Sequence, residues 1–432
     1  MSKSDRTVQP LYYRFNTAKS SAGTVLVEAG PCGPTEQPDN GIVGQISIIH
    51  LGSTGFADAR KGWIEQEPAT PHGQDEVRIL VSLHDDELEF AGRFRRANYK
   101  DWKDIGGLFA EAEPGARVWR RGQPPVVPPI APERVARFTS SFGEQAWQRL
   151  RQSTAVVIGA GGTGSVTIPM LARAGIGRIV IVDSDHITPS NLERTHAAFP
   201  EHVARKTPKA LLARDHVRSI DPEIEVIAFE GRLPQPKILA EVARADVIIG
   251  CTDQHSSRLA VSDAARRYLV PAIDCGGLIE GAAGRVTGQI IQLVLFRPDD
   301  PCPQCRGMID PELVKRELMS TDELAAIAAV AETRNLPPGA AEVPQIDTVG
   351  YITTVSGTLA AGYAIGWLAG RFDPPFERMQ LNLIADCLDV TNRSQPYAKD
   401  CTCRASRGLA DAGAAKAPIQ VPKHWGQSRR LE

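Results

Sequence analysis

The sequence predicts an α/β fold: a doubly wound, mainly parallel sheet with helices on both faces, preceded by a smaller strand-rich or mixed domain. Three observations carry this prediction. From about Pro132 onward, short apolar runs alternate with helix-like segments, the texture of successive βαβ units. The run ending at Ile158 breaks into a glycine-rich turn, GAGGTGS, where a helix should begin, an arrangement that lets backbone N–H groups meet phosphate oxygens. The next apolar run, Arg178 to Asp183 (RIVIVD), ends in an acid, the position at which Rossmann-like sheets bind ribose hydroxyls.

Residues 1–122 contain GTVLVEAG, GQISIIHLG and EVRILVSL, separated by Gly/Pro/Asp-rich turns; these read as strands of a small domain with no glycine fingerprint. Residues 123–133 hold the proline-dense PPVVPPIAPE, a stiff, extended linker. Beyond it, 154–158 reads as a strand, 163–174 as a helix and 178–183 as a second strand, with further strands expected near 224–231 and 245–251. Residues 308–347 are acidic and alanine-rich, with a helical pattern closed by LPPG, and read as an insertion. Tyr351 to Gly370 carries no charge and is about long enough to span a bilayer. Its Ser, Thr and Gly content argues instead for a helix buried against the fold or a second subunit. Residues 404–432, rich in Ala, Gly, Lys and Arg, are expected to form a disordered tail.

Composition excludes some classes of function. With 49 basic and 51 acidic residues, the chain lacks the charge excess of a nucleic-acid-coating or polybasic membrane protein. Met1 to Pro10 has no apolar core followed by a small-residue cleavage site, so a cytoplasmic location is expected, with neither nucleic acid nor membrane as partner.

The glycine turn and Asp183 suit NAD and ATP equally. Residues further along the chain separate the two. In DSDHITPSNLERTH, Asn191 and Arg194 stand three apart, just beyond the ribose acid, and Lys209 comes later in TPKALLARD. Cations there serve no nicotinamide ring but neutralise a triphosphate. Asp253, in CTDQHSSR at a strand end, is of the type that binds Mg2+, which takes one or two carboxylates plus phosphate oxygens. A lone Asp is more often a helix cap and a lone Arg a surface charge; the ordered set of motifs outweighs those readings.

That ordered set resembles the ThiF/MoeB/ubiquitin-activating enzyme superfamily of ATP-dependent adenylyltransferases, from about Arg134 to Cys403. The resemblance implies that Gly159, Gly161, Gly162 and Gly164 form the phosphate turn and that Asp183 binds the ribose. It further implies that Asn191, Arg194 and Lys209 contact the phosphates, that Asp253 holds magnesium and that Asp185 steadies the following loop. Lys206 competes for the lysine role, but the segment after Lys209 aligns better with the family's helix. In RVARFTSSFGEQ, Arg137 stands where the family places an arginine that enters a neighbouring protomer's ATP site, which implies a homodimer. Phe138 replaces the usual Gln after it.

Among eight cysteines, Cys302 and Cys305 form a C-x-x-C, and Cys401 and Cys403 a later C-x-C. Four thiolates make a closed structural Zn2+ site that tethers the C-terminal segment to the sheet; loss of the metal is the competing reading. Cys251, Cys275 and Cys387 read as buried core thiols. Ubiquitin-activating members place a nucleophilic Cys in the segment that corresponds to Met308–Thr348, which here contains none.

The implied reaction is attack of a carboxylate on the α-phosphate of MgATP. The first expectation is activation of the C-terminus of a ubiquitin-like protein, with delivery to a separate conjugating enzyme's cysteine. A sulfur-carrier adenylyltransferase of thiamin or molybdopterin type and a peptide-modifying relative are the alternatives. A non-catalytic scaffold or a dehydrogenase fits less well, since Arg194, Lys209 and Asp253 are all present.

Overall fold

The computed structural model describes residues 131–432, except 283, 299, 334–342, 344–347, 386, 392–395 and 407–409, together with eight strands before residue 131. Those strands are β1 (Tyr12–Asn16), β2 (Thr24–Leu26), β3 (Val43–Ile49), β4 (Glu76–His84), β5 (Glu87–Arg95), β6 (Lys103–Asp104), β7 (Gly107–Glu111) and β8 (Ala116–Arg120). They pair into a sheet of order β2-β3-β4-β5-β6 and another of order β1-β7-β8. The three runs read as strands in the sequence fall on β2, β3 and β4. Residues 123–130 of the proline-rich linker lie outside the described residues.

After the helices α1 (Ala136–Phe142) and α2 (Glu144–Gln152), the chain enters β9 (Thr154–Ile158), α3 (Gly164–Ala174) and β10 (Arg178–Asp183). Then come α4 (Pro200–Ala204), α5 (Lys209–Ile220), β11 (Glu225–Glu230), α6 (Pro236–Val242), β12 (Val247–Gly250) and α7 (His255–Tyr268). A long hairpin, β13 (Ala272–Ala282) and β14 (Arg285–Phe296), leads to α8 (Pro311–Glu317), α9 (Thr321–Thr333) and α10 (Gly350–Leu368). β15 (Arg378–Asn382), β16 (Cys387–Thr391) and the C-terminal β17 (Arg429–Leu431) complete the described elements.

All nine later strands share one sheet, in the order β16-β15-β14-β13-β12-β9-β10-β11-β17. The five from β13 to β11 run parallel, flanked by antiparallel strands at both sides. From β9 the chain builds outward to β10 and β11, then returns to place β12 on the other side of β9. The crevice at the carboxyl ends of β9 and β12 is therefore a topological switch point, where open α/β sheets bind ligands.

Alternation along the buried strands feeds two cores. Ala155, Val157, Ile179, Ile181, Val247 and Ile249 face one, with α3, α5 and α10; Val156, Ile158, Val180, Val182 and Ile248 face the other, with α6 and α7. The uncharged stretch is α10, packed on α3 and the β13–β14 hairpin. Its small residues allow that approach: a Cβ on Gly357 would lie 2.5 Å from the Thr163 carbonyl oxygen. No helix among the described residues is long and apolar enough to cross a membrane.

The tail expectation is corrected. Its described residues form short 3-10 turns at Thr402–Ser406, Ala410–Lys416 and Lys423–Trp425, and β17 pairs antiparallel with β11, Ala228 opposite Leu431. Composition missed this because the ordering comes from partners remote in sequence: the Arg214 guanidinium donates to the Leu431 carbonyl at 3.1 Å, and Ile419 is buried in the second core.

Candidate functional site

The glycine turn joins β9 to α3 and is held by contacts that only glycines permit. Gly159 has φ +99°, and a Cβ there would meet the Cys251 carbonyl oxygen at 2.6 Å. Gly164 opens α3 so close beneath it that a Cβ would lie 1.9 Å from the Gly159 carbonyl oxygen. A Cβ on Gly162 would meet the Thr353 hydroxyl oxygen at 2.9 Å, whereas one on Gly161 would meet nothing within 4 Å.

Asp183 sits beside this turn at the end of β10. Its two oxygens accept from the Ala160 N–H at 2.7 Å and the Asp185 N–H at 2.8 Å. Burial pushes its carboxyl above the ordinary range, opposed by Lys209 and by those N–H donors. A carboxylate so placed is stabilised by additional hydroxyl donors. Asp185 behaves in the opposite way: burial would raise it, but the Lys209 ammonium at 3.0 Å, with Arg232 and Ser184, holds it below the usual range.

Lys209 begins α5, and its N–H donates to the Asp185 carbonyl at 2.9 Å. Asn191 is buried, and its Oδ1 accepts from the Thr188 N–H at 3.1 Å, which leaves its amide donors for other use. Arg194 donates to the Ser190 carbonyl at 2.8 Å. Asp253 follows β12, just before α7. That helix takes its cap from a distant acid: Glu317 of α8 accepts from the His255 and Ser256 N–H groups at 3.0 and 2.7 Å. His255 Nδ1 in turn accepts from the Asp310 N–H at 2.9 Å, a helix-start role.

Most of the sequence-predicted residues converge on one cavity of about 550 Å³. Gly159, Gly161 and Gly162 form its floor with Asp183, while Asn191, Arg194, Lys209 and Asp253 also line it. Lys206 does not line it, nor does Gly164, which supports the turn from beneath. Arg137 is exposed on α1 and is not part of this chain's own cavity. Sequence reasoning missed Arg232, two residues beyond β11, and Trp425 from the C-terminal segment. It also missed Gln292, Arg378 and Gln380, on adjacent strands of the hairpin side. Arg232 carried a usable signal, a cation soon after a strand end; Trp425 carried none.

Beneath the cavity, Asp274 on β13 is buried, and burial pushes its carboxyl up to about 6 against the opposing charge of Arg258. Cys251 and Cys275 place their sulfurs 3.7 Å apart, and hydrogen bonding with Cys251, then burial, raises the Cys275 thiol. Cys275 stays a protonated core thiol, with Cys251 buried beside it. Cys387 begins β16, and Cys32 lies outside the described residues.

The other four cysteines converge. Cys302 lies 3.6 Å from Cys305 and 3.6 Å from Cys401, and Cys305 lies 3.8 Å from Cys403, sulfur to sulfur. All four sulfurs fall within 4.8 Å of one another. A tetrahedral ion with metal–sulfur bonds of about 2.3 Å needs sulfur–sulfur edges of about 3.8 Å, so the donor set fits a zinc-sized ion.

Residues 134–405 match the ThiF family. The chain is 29% identical over 261 residues to the SAMP-activating enzyme E1 of Haloferax volcanii, covering 60% of this chain and 83% of that protein. It is 30% identical to the molybdopterin-synthase adenylyltransferase of Salmonella typhimurium, covering 38% of this chain and 62% of that one. It is 33% identical to the sulfur carrier protein ThiS adenylyltransferase of Bacillus subtilis, over 30% of this chain but only 39% of that relative. Among solved structures it is similar to E. coli MccB with AMPCPP and MccA, at 17% identity and a TM-score of 0.47, covering 63% of this chain and 74% of that one. With its family match spanning more than half its length, the chain belongs to the ThiF family and is an adenylyltransferase of that family.

Proposed function

We propose that the protein activates the C-terminal carboxylate of a ubiquitin-like or sulfur-carrier protein by adenylation with ATP. One observation carries this reading: the phosphate turn, Asp183, Arg194, Lys209 and Asp253 line a single cavity at the switch point of the sheet. The names of the relatives support the substrate class, since they describe activation of SAMP and of sulfur carriers.

In this reading ATP lies with its phosphates on the glycine turn and its ribose at Asp183. The incoming C-terminal carboxylate, already ionised at neutral pH with an ordinary value of about 3.5, attacks the α-phosphorus; the bond to the bridging oxygen breaks, and pyrophosphate leaves. No general base is required. Catalysis rests on positioning and on cations that meet charge moving onto the leaving group. Arg194 and Lys209 supply that charge, and Lys209 must exchange Asp185 for phosphate to do so. Asp253, without an ion-pair or hydrogen-bond partner among the described residues, would hold Mg2+. When bound, that ion would neutralise phosphate charge. Cys302, Cys305, Cys401 and Cys403 would hold a structural Zn2+, fixing the C-terminal segment to the rest of the fold. Arg137, exposed and outside its own chain's cavity, would complete a partner's site in a homodimer.

Transfer of the activated carrier to a conjugating enzyme's cysteine is the fuller form of this reading. The sulfur-carrier form is favoured by a separate observation: residues 308–348 contain no cysteine to hold a thioester. The test is ATP–pyrophosphate exchange in the presence of ubiquitin-like and sulfur-carrier candidates. Exchange that needs a carrier with an intact C-terminus supports the proposal, and thioester formation on an added conjugating enzyme selects its fuller form. Exchange that needs only a short free peptide would replace the carrier with a peptide substrate, and no exchange under any condition would remove adenylation.

A further inference from the structure

The C-terminal segment does more than complete the sheet. The cavity's parts succeed one another across the strands: the glycine turn after β9, Asp183 at the end of β10 with Asp185 beyond it, Gly231–Leu233 after β11, and then Trp425, shortly before β17. A nucleotide with its phosphates on the turn and its ribose at Asp183 projects its base outward, past β11 and toward Trp425. Among the described residues Trp425 is the only Phe, Tyr or Trp that lines the cavity.

We infer that Trp425 is a nucleotide-base contact, giving the purine of ATP an aromatic wall. This rests on the ATP-binding reading above. The indole is held in place for such a role. The Arg232 guanidinium carbon lies 5.5 Å from the centre of the Trp425 ring, within cation–π range. Arg232 is itself fixed, its Nε donating to the Ser184 hydroxyl at 2.8 Å. Gln235 ties the two segments together: its Oε1 accepts from the Arg232 N–H at 2.7 Å, and its Nε2 donates to the Gly426 carbonyl at 2.9 Å. Gly426 has φ +63°, a left-handed conformation that lets the chain turn sharply after the indole. Beyond it, Arg429 Nε donates to Glu230 at 3.1 Å, and β17 joins β11. The base wall is thus a built part of the fold, with Arg232 against the indole and the chain just after it held at Gly426, Arg429 and β17.

Stacking recognises a flat π-face, and removal of an aromatic partner from a base weakens binding roughly tenfold. The experiment is calorimetric titration of the full chain and its W425A, W425L and W425F variants with ATP and with inorganic tripolyphosphate. W425A and W425L should weaken ATP binding about tenfold and leave tripolyphosphate binding unchanged, while W425F keeps most of the ATP affinity. Unchanged ATP affinity in W425A and W425L would overturn the inference. So would an equal loss for both ligands, which would mark Trp425 as a structural support of the whole cavity. A wild-type chain that binds tripolyphosphate but not ATP would refute the base contact, and one that binds neither would remove the nucleotide reading as well. Melting curves of W425L, which keeps apolar bulk, separate loss of folding from loss of the aromatic face.

Discussion

The glycines of the phosphate turn make unequal demands, and substituting them one at a time separates support of the fold from contact with a ligand. Gly164→Ala puts a carbon 1.9 Å from the Gly159 carbonyl oxygen, about 1.5 Å inside ordinary contact. The neighbour is backbone and cannot rotate away, so the turn itself must open. Such overpacking costs about 1–3 kcal/mol and moves the turn's N–H groups by enough to spoil hydrogen bonds. The expected result is a melting temperature lower by a few degrees together with loss of ATP binding. Gly161→Ala is the informative partner. Its φ is not positive, its Cβ would meet no protein atom within 4 Å, and it lines the cavity. Its stability should hold or rise by up to ~1 kcal/mol, because the unfolded chain loses freedom. ATP, however, must then approach a methyl group where the glycine left space. Displacing a phosphate by about 1 Å should cost at least tenfold in affinity, ~1.4 kcal/mol. Calorimetric titration with ATP and thermal melting of both variants measure the two effects separately. A Gly161→Ala protein that binds ATP as tightly as wild type would refute the placement of phosphate over this turn.

The same geometry fixes other outcomes. In a homodimer with Arg137 acting in trans, co-expressed Arg137→Ala and Lys209→Ala chains should recover about a quarter of wild-type exchange, since half of the dimers carry one intact site; no recovery would refute the trans role. Chelation, or Cys401→Ser, should remove about one zinc per chain and lower the melting temperature, and freshly purified protein without zinc would contradict the four-cysteine site. Asp274 holds its proton more tightly folded, at about 6, than its ordinary 3.8. Its contribution is therefore fully present below about pH 4 and is lost as pH rises toward 6. Asp274→Asn, neutral throughout, should gain stability relative to wild type across that window, by at most ~3 kcal/mol, and a difference independent of pH between 4 and 6 would contradict this.

Much of the sheet was legible because its central strands are short apolar runs punctuated by glycine and acid. The turn at Gly159, the acid at Asp183 and the strands near 224–231 and 245–251 all fall at strand ends or strands of the observed fold. The hairpin of β13 and β14 was not anticipated. Its glycines, Gly276, Gly277 and Gly281, dilute the alternation that marks a strand, and its pairing is fixed by neighbours in space. The C-terminal segment was misread for a related reason. Ala- and Gly-rich composition signals disorder only where no partner waits, and here β11, Arg214 and Gln235 supply partners. Trp425 and Arg232 were invisible as a pair because 193 positions separate them in the sequence.

Adenylation creates a bond between a carrier's C-terminal carboxylate and AMP. The most direct measurement is mass spectrometry of a candidate carrier incubated with MgATP, with and without this protein, and with its Asp253→Ala and Lys209→Ala variants. The carrier should become heavier by one AMP, only with the wild-type protein and only when the carrier's C-terminal carboxylate is intact. Formation of that adduct by the Asp253→Ala and Lys209→Ala variants at the wild-type rate, or on a carrier whose C-terminus is blocked, would contradict this mechanism.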